Sequence, residues 1–589
     1  MKKVICFILI LFTLSSLSSC FNAREVPTDT VPSSTTDSAT PLLPSPSAVV
    51  DREAVYNSEG NLDYQAMWPD KKILVWLYFD AFGIRQYLNS LDSPNPKSFS
   101  EFYSSIISDE LIVTLNDYLV SLGKDYVIRF MKQDTIAEKI AEDYKALGSD
   151  YNAKQYFLFQ DLFGYYTEYM KEMKNSGIQA DIISAIPVTK GNFAIIEGDN
   201  TIQVESVAIT ESGGDEISNN LLLDITDFLL NEEDRKLHSY FPEEYWNMFN
   251  KYNGIYGVYN NGIASCYLFY LREDVINKYE VDISELDSID KIDVFFDRIY
   301  EDYKTEMSGN GLMLTRNFLG SNQLLELYGI SVDIDNSIVS YEYDSDNNPV
   351  VINRFKDISY LHLNETLAKW VIKGYFNKSE GTALGYELGS IAFNPYISYI
   401  QKEYTDYSDG TSEKIQYIPV ELSKYILHDG RSRLIGIASW TENAESAYDY
   451  LSTLFTDPHL SNLIYYGKSY KCENGIVKQN GNYNASVFVV SHLLYPNKIG
   501  EKRITDISDA LSNAYVPPDY AFVPDITGME YNFDEISRLC KEADNIWAAN
   551  PDNYLSELDN IITQLDALGY DRFLQDINVQ LEQFMNSMP

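Results

Sequence analysis

The chain has 589 residues, 87 of them Asp or Glu and 45 Lys or Arg, for a formal net charge of −42. So acidic a surface repels phosphate backbones, which argues against a nucleic-acid-binding protein. Hydrophobic residues make up 45%, enough for more than one core at this length, although the charge itself names no ligand.

The chain opens on Lys2 and Lys3, followed by an uncharged, mostly apolar run from Val4 to Leu17 and small residues up to Cys20. This is the order of a secretory signal, and it is too short for a comfortable membrane span. Leu17-Ser18-Ser19-Cys20 resembles the bacterial lipobox. The expectation is removal of residues 1–19 and lipidation of Cys20. That would anchor the chain on the outer face of the cell membrane, facing the periplasm in a Gram-negative cell, without spanning it. Residues 23–50 are rich in Ser, Thr and Pro and bury too little apolar surface to order themselves, so 20–64 reads as a tether, with folding expected from about residue 65. Of the other cysteines, Cys6 leaves with the signal. Cys266, Cys472 and Cys540 show neither a disulfide framework nor a metal spacing and are expected as free thiols.

The body begins with Lys72–Phe79, apolar on both faces as in a buried parallel strand. A loop at Asp80, Phe82 and Gly83 is expected next, then a helix carrying Leu111, Leu115 and Leu119, and a strand over Asp125–Phe130. Helices follow at 135–147 and from about Lys154 to Met173, and Gly177 leads to a strand at Asp181–Ala185. This alternation predicts an α/β lobe with parallel strands. Further strands are expected at Gly254–Tyr259, Ser265–Leu271, Ser390–Phe393 and Ile435–Ser439. A helix over Ala444–Phe455 follows the last of these, and the C-terminus is helical from about Phe533. Asp344–Pro349 begins like a calcium loop but places Pro349 at the glycine position and Phe355 at the glutamate position, so it reads as an acidic surface turn.

Several segments, taken in order, resemble the family 1 extracellular solute-binding proteins of ABC importers, the maltose-binding-protein group. Val75-Trp76-Leu77-Tyr78 resembles the family's opening strand, and Gln179–Ile183 its Pro-Asp-hydrophobic strand. Tyr252–Val258 resembles "dGkiYglP", Tyr267–Val275 "lyYNkdll", and Gly389–Phe393 "GkaAm". Gly436–Ala447 resembles "gIskdsknpeaAwkFl", the most specific of the matches. The chain departs from the pattern where Leu271 or Arg272 replaces the family's Asn, where the Trp of its "tWdEl" helix is missing, and where 135–175 is longer than usual. The resemblance implies an α/β, two-lobed periplasmic-binding-protein-like fold of type II, with hinge strands between the lobes and a helical C-terminus. Lobe one would take 65–185 and 430–500, and lobe two 186–429 and 501–589. It further implies a monomer with no cofactor that captures a carbohydrate or oligosaccharide and delivers it to a membrane permease.

Open α/β sheets bind ligands beyond the carboxyl ends of their strands. Trp76, Tyr78, Asp80 and Phe82 are therefore candidates at the end of the first strand, although Trp76 reads equally well as core. Trp440 follows a strand and opens a polar turn. Ser184, Tyr256, Tyr270, Arg272, Tyr386 and Phe393 complete the candidate set, Arg272 being equally readable as a structural ion-pair partner. No HExxH or G-x-S-x-G occurs, and Gly436–Trp440 carries Ala438 at the nucleophile position. Two other readings remain open at this stage: an extracellular glycosidase, and a lipoprotein that binds a peptide or another polar solute without coupling to transport.

Overall fold

The computed structural model describes residues 52–587, apart from short breaks and the longer stretches 92–107, most of 149–161, 186–192, 205–213, 307–320, 376–387, 395–399, 428–433 and 479–513. The signal segment and Cys20 lie outside the described residues. Packing starts ahead of residue 65. Arg52 pairs with Asp117 at 3.7 Å and lies over the Trp68 ring, and Leu62, Tyr64 and Met67 are already buried.

β1 (Lys72–Tyr78) is buried from Leu74 onward and pairs in parallel with β2 (Tyr126–Phe130) and β3 (Ile182–Ala185). α1 (Ala81–Ser90) is the next described element, and Phe82 and Gly83 lie in its first turn where a loop was expected. α2 (Asp109–Ser121) is capped by Ser108, whose Oγ accepts from Leu111 N, and turns Leu111, Leu115 and Leu119 inward, as their four-residue spacing predicts. α3 (Asp134–Ala146) and α4 (Leu162–Asn175) complete the connection to β3. Next come a hairpin, β4 (Phe193–Glu197) with β5 (Asn200–Val204), which the sequence reading did not anticipate, and then α5 (Thr226–Asn231). β6 is only Val258–Tyr259, shorter than the strand expected from Gly254.

The long strand β7 (Ala264–Arg272) opens a second sheet. α6 (Ile289–Glu306) follows, then the antiparallel strands β8 (Ile330–Val332), β9 (Ser340–Tyr343) and β10 (Pro349–Val351). Asp344 closes the turn between β9 and β10 by accepting from Asn348 N, so the calcium-loop look-alike is a hairpin turn. After α7 (Ile358–Lys373) come β11 (Gly389–Asn394), β12 (Ile400–Thr405), β13 (Ser412–Glu421) and β14 (Ile426–Leu427). The chain then returns as β15 (Leu434–Ile437), α8 (Ala444–Thr456), α9 (Pro458–Tyr466) and the hairpin β16 (Lys471–Glu473) with β17 (Ile476–Lys478). It ends in α10 (Phe533–Ala549), α11 (Tyr554–Ala567) and α12 (Tyr570–Ser587).

Sheet one runs β2-β1-β3-β15-β6 and sheet two β11-β7-β13-β12. Each has its own core. The first gathers residues from 62–185, 217–259 and 434–477, and the second from 269–391 and 536–581. Residues 217–259, expected in lobe two, thus pack with sheet one. The residues of β7 alternate: Phe269 and Leu271 face the helices of the second core, whereas Cys266, Leu268 and Tyr270 form a smaller cluster with Ile415 and Tyr417 on the opposite face. The C-terminal helices are pinned to the second core by a buried ion pair. Arg354 Nη2 donates to Asp544 Oδ2 at 2.7 Å, Arg354 Nη1 donates to Ser340 Oγ, and Asn322 Nδ2 also donates to the Asp544 carboxylate.

Three chain segments join the sheets. β6 leads into β7, and β14 leads into β15. These segments pair on both sides of the crossing, with Val258 opposite Ile435 and Tyr259 opposite Leu434 in sheet one, and Ala264 opposite Leu427 and Ser265 opposite Ile426 in sheet two. The third segment passes alongside at Tyr515, whose N–H donates to Tyr425 O at 2.7 Å while its ring meets Tyr343. At the base of the hinge Gly257 and Gly436 face each other so closely that a Cβ on Gly436 would overlap Tyr256 O, and one on Gly257 would overlap Ile435 O. Only glycine allows this approach.

Candidate functional site

Strand direction locates the cleft. β1, β2, β3 and β6 share one direction and β15 opposes them: Leu434 sits beside Ala185 and Tyr259, and Ile437 sits beside Ile182. β6 leaves sheet one, and β15 enters it, at the carboxyl ends of the parallel strands. That edge therefore faces the hinge end of sheet two, marked by Ala264 and Leu427. The space between the two edges is where this kind of sheet takes a ligand.

Aromatic residues build the carboxyl edge. The Trp76 ring stacks on Phe130 at 5.2 Å and meets Tyr450 edge-on at 5.6 Å, and Tyr78 meets Phe130 edge-on. Trp76 Nε1 donates to Ser184 Oγ at 2.9 Å, and Tyr166 of α4 donates its hydroxyl to Ser184 O at 3.1 Å. Burial pushes the Tyr166 phenol well above its usual range, with the nearby Glu216 acting in the same direction, so it stays protonated and a donor.

The candidates fall into four places. Trp76, Tyr78 and Ser184 lie at or just beneath the carboxyl edge, yet all three are buried, with 0%, 0% and 1% of their surface exposed. They pack beneath that edge as part of the first core. Asp80 and Tyr386 lie outside the described residues. So do the side chains of Phe82 in α1 and Phe393 in β11, although the Phe393 backbone, paired with Tyr267, is near the hinge end of sheet two. Trp440 and Tyr256 are at the opposite edge of sheet one. Because β15 runs against its neighbours, its end is the amino edge, and Trp440 Nε1 donates to Ile178 O, just ahead of β3. Asp181 fixes this edge: Oδ2 accepts from Val75 N at 2.7 Å and Oδ1 from Asn443 and Thr441 of the turn after β15. Tyr270 and Arg272 lie toward the far end of β7, Arg272 eight residues or roughly 26 Å from Ala264. Tyr270 is buried in the third cluster, and Arg272 pairs with Asp274 at 2.7 Å, the structural alternative weighed for it.

A groove of about 460 Å³ lies between the first turns of α5 and α8, lined by Asp227, Phe228, Asn231, Glu445, Tyr448 and Asp449. It belongs to the amino edge, where Lys72 at the start of β1 meets Ser446, and so lies away from the cleft. Among the described residues no group of three His, Cys, Asp or Glu is placed to hold a metal, and no described helix is long and apolar enough to cross a membrane. Cys266 in β7 and Cys540 in α10 are free, buried thiols, each pushed up to about 12 first of all by burial.

The chain is built of two discontinuous α/β lobes joined by a paired-strand hinge. Its fold is shared with the N-glycan transport solute binding protein NgtS of Streptococcus pneumoniae, at 16% identity and a TM-score of 0.53, over 88% of this chain and 100% of that one. A weaker similarity, with a TM-score of 0.43 and 11% identity, joins 87% of this chain to 99% of an HMO binding ABC-transporter associated solute binding protein from Bifidobacterium longum infantis. No protein-family model matches the sequence, and comparison with curated proteins finds no relative.

Proposed function

We propose that the protein is a membrane-tethered receptor that captures a carbohydrate or oligosaccharide between its lobes and delivers it to an ABC permease. The observation that carries this reading is the architecture: two lobes joined through β6–β7 and β14–β15, a fold shared along nearly the whole chain with an N-glycan transport solute binding protein. Closure of the lobes over the solute would be a hinge motion. The order of charge, apolar run and lipobox supports anchoring through Cys20 on the outer face of the membrane.

The direct test is thermal unfolding of the processed chain with a panel of oligosaccharides, peptides and polyamines. A solute at about 100 times its Kd adds about 2.7 kcal/mol to the folded state. A shift with one glycan class, without its breakdown, supports the reading. A shift with peptides alone sinks the carbohydrate assignment, and hydrolysis of the glycan sinks the receptor assignment. For the anchor, Cys20→Ser should move the protein from the membrane fraction to the soluble one, and its retention in the membrane would refute lipidation.

A further inference from the structure

The two sides of the hinge are not equally stiff. On the sheet-one side the crossings are close-packed, with Gly257 against Ile435 O and Gly436 against Tyr256 O. On the sheet-two side the ladder is broken. Glu421 pairs with Leu268 and Ile426 with Ser265, so the four residues 422–425 stand opposite only two, Cys266 and Tyr267. In that bulge Tyr267 N–H donates to Ser423 Oγ at 3.0 Å, a side chain standing in for a backbone carbonyl. A bulge bends a strand and interrupts its pairing, so bending between the lobes falls more easily here than at the glycine crossing.

We propose that Tyr425, the last residue of the bulge, and Tyr515 beside it form a strap that holds the lobes in the arrangement described above, and that the lobes move only when the strap lets go of one of them. Tyr425 packs against both the first core and the cluster of Cys266, Leu268 and Tyr270 on sheet two. Its carbonyl accepts from Tyr515 N–H at 2.7 Å. Ala514 packs on the first core, while the Tyr515 ring meets Tyr343 of β9 edge-on at 5.9 Å. Tyr425 and the 514–515 pair thus each touch both lobes, in addition to the paired strands. When two lobes turn about a hinge, a group packed on both loses contact with one. Each aromatic contact of the strap favours the strapped arrangement about two- to tenfold. A solute gripped by both lobes binds one arrangement better than another, so the strap tunes affinity without touching the solute, whatever its chemistry.

The test is pulsed electron spin resonance on the full processed chain without solute. Spin labels go on Leu122→Cys with Ile358→Cys, and in a second sample on Leu230→Cys with Ile358→Cys, exposed positions that pair lobe one with lobe two. Cys472→Ser removes one native thiol, and Cys266 and Cys540 are buried and take no label. Two variants cut the strap, Tyr515→Ala and Tyr343→Leu, and the second leaves the hinge segments themselves intact. Each should raise the share of a second interlobe distance at least about threefold over the parent. Tyr531→Leu takes a ring contact with Phe573 out of lobe two and should keep the parental distances. Parental distances in either folded strap variant, or an equal shift in Tyr531→Leu, overturn the proposal, and Tyr343→Leu decides alone where Tyr515→Ala does not fold.

Discussion

Replacing Arg354 with Met tests whether the C-terminal helices are locked to lobe two by the Arg354–Asp544 pair. Arg354 is fully buried and Asp544 is 5% exposed. The guanidinium gives Asp544 two hydrogen bonds, at 2.7 and 3.2 Å, and Ser340 a third. Removing one partner of such a pair leaves a buried carboxylate with only part of its hydrogen bonding, at a cost of about 3–5 kcal/mol. For a lobe of this size each kcal/mol is worth roughly 2–4 °C, so the lobe-two transition should fall by about 10 °C. Differential scanning calorimetry reads it directly. The double variant R354M/D544L removes both charges and should recover most of the loss, because the desolvation cost goes with them. A single variant that loses less than about 1 kcal/mol, or a double variant no better than the single, would show that the pair is not what fixes the helices.

Other outcomes follow from the same geometry. Gly436→Ala forces a Cβ into Tyr256 O and should cost about 3 kcal/mol or more in urea unfolding, whereas the same change at Gly60, where a Cβ meets nothing within 4 Å, should cost about 1 kcal/mol from its φ of +78° alone. Trp440→Phe should leave the Kd of whichever solute binds within about twofold, since Trp440 is on the amino edge; a tenfold loss by calorimetry would place the ligand site at that edge instead. Asp297, raised by burial but more strongly lowered by hydrogen bonds from Lys369, Lys373 and Tyr375, is held at about 2. Its folded value lies below the unfolded one, so the stability it adds is full above about pH 4 and is lost as pH falls toward 2. Asp297→Asn should therefore lower the urea midpoint at pH 7 and no longer do so at pH 2, and an equal loss at both would mean that the ion pairs with α7 are not its contribution.

Local order in this chain was written in its periodicity. β1 showed as a run apolar on both faces because it is buried from Leu74 onward, and α2 showed through leucines four residues apart. Directions were not visible in the same way. Nothing in Ile435–Ser439 says that the strand runs against its neighbours, yet that reversal is what sends Trp440 to the edge away from the cleft. The burial of Trp76 and Tyr78 was equally hidden, since an aromatic at a strand end reads the same whether its ring faces solvent or a partner such as Phe130. The placement of 217–259 with sheet one depends on Val258 and Tyr259 finding Leu434 and Ile435, residues more than 170 positions later, and pairing at that range leaves no local trace. One signal was available: the glycines at 257 and 436, one in each partner segment, mark the close crossing of two backbones.

The position of β15 also dictates an order of assembly. It fills the slot between β3 and β6, both made far earlier in the chain, so sheet one keeps an open seam until residue 437 has emerged. Lobe two waits in turn for α10, whose Asp544 neutralises Arg354. Sheet one can close once residue 437 has emerged, whereas lobe two waits about 100 residues longer, so the two units mature in sequence. Such long-range closure is slow. A nascent chain would therefore carry one finished lobe beside a second still open for want of its last helices.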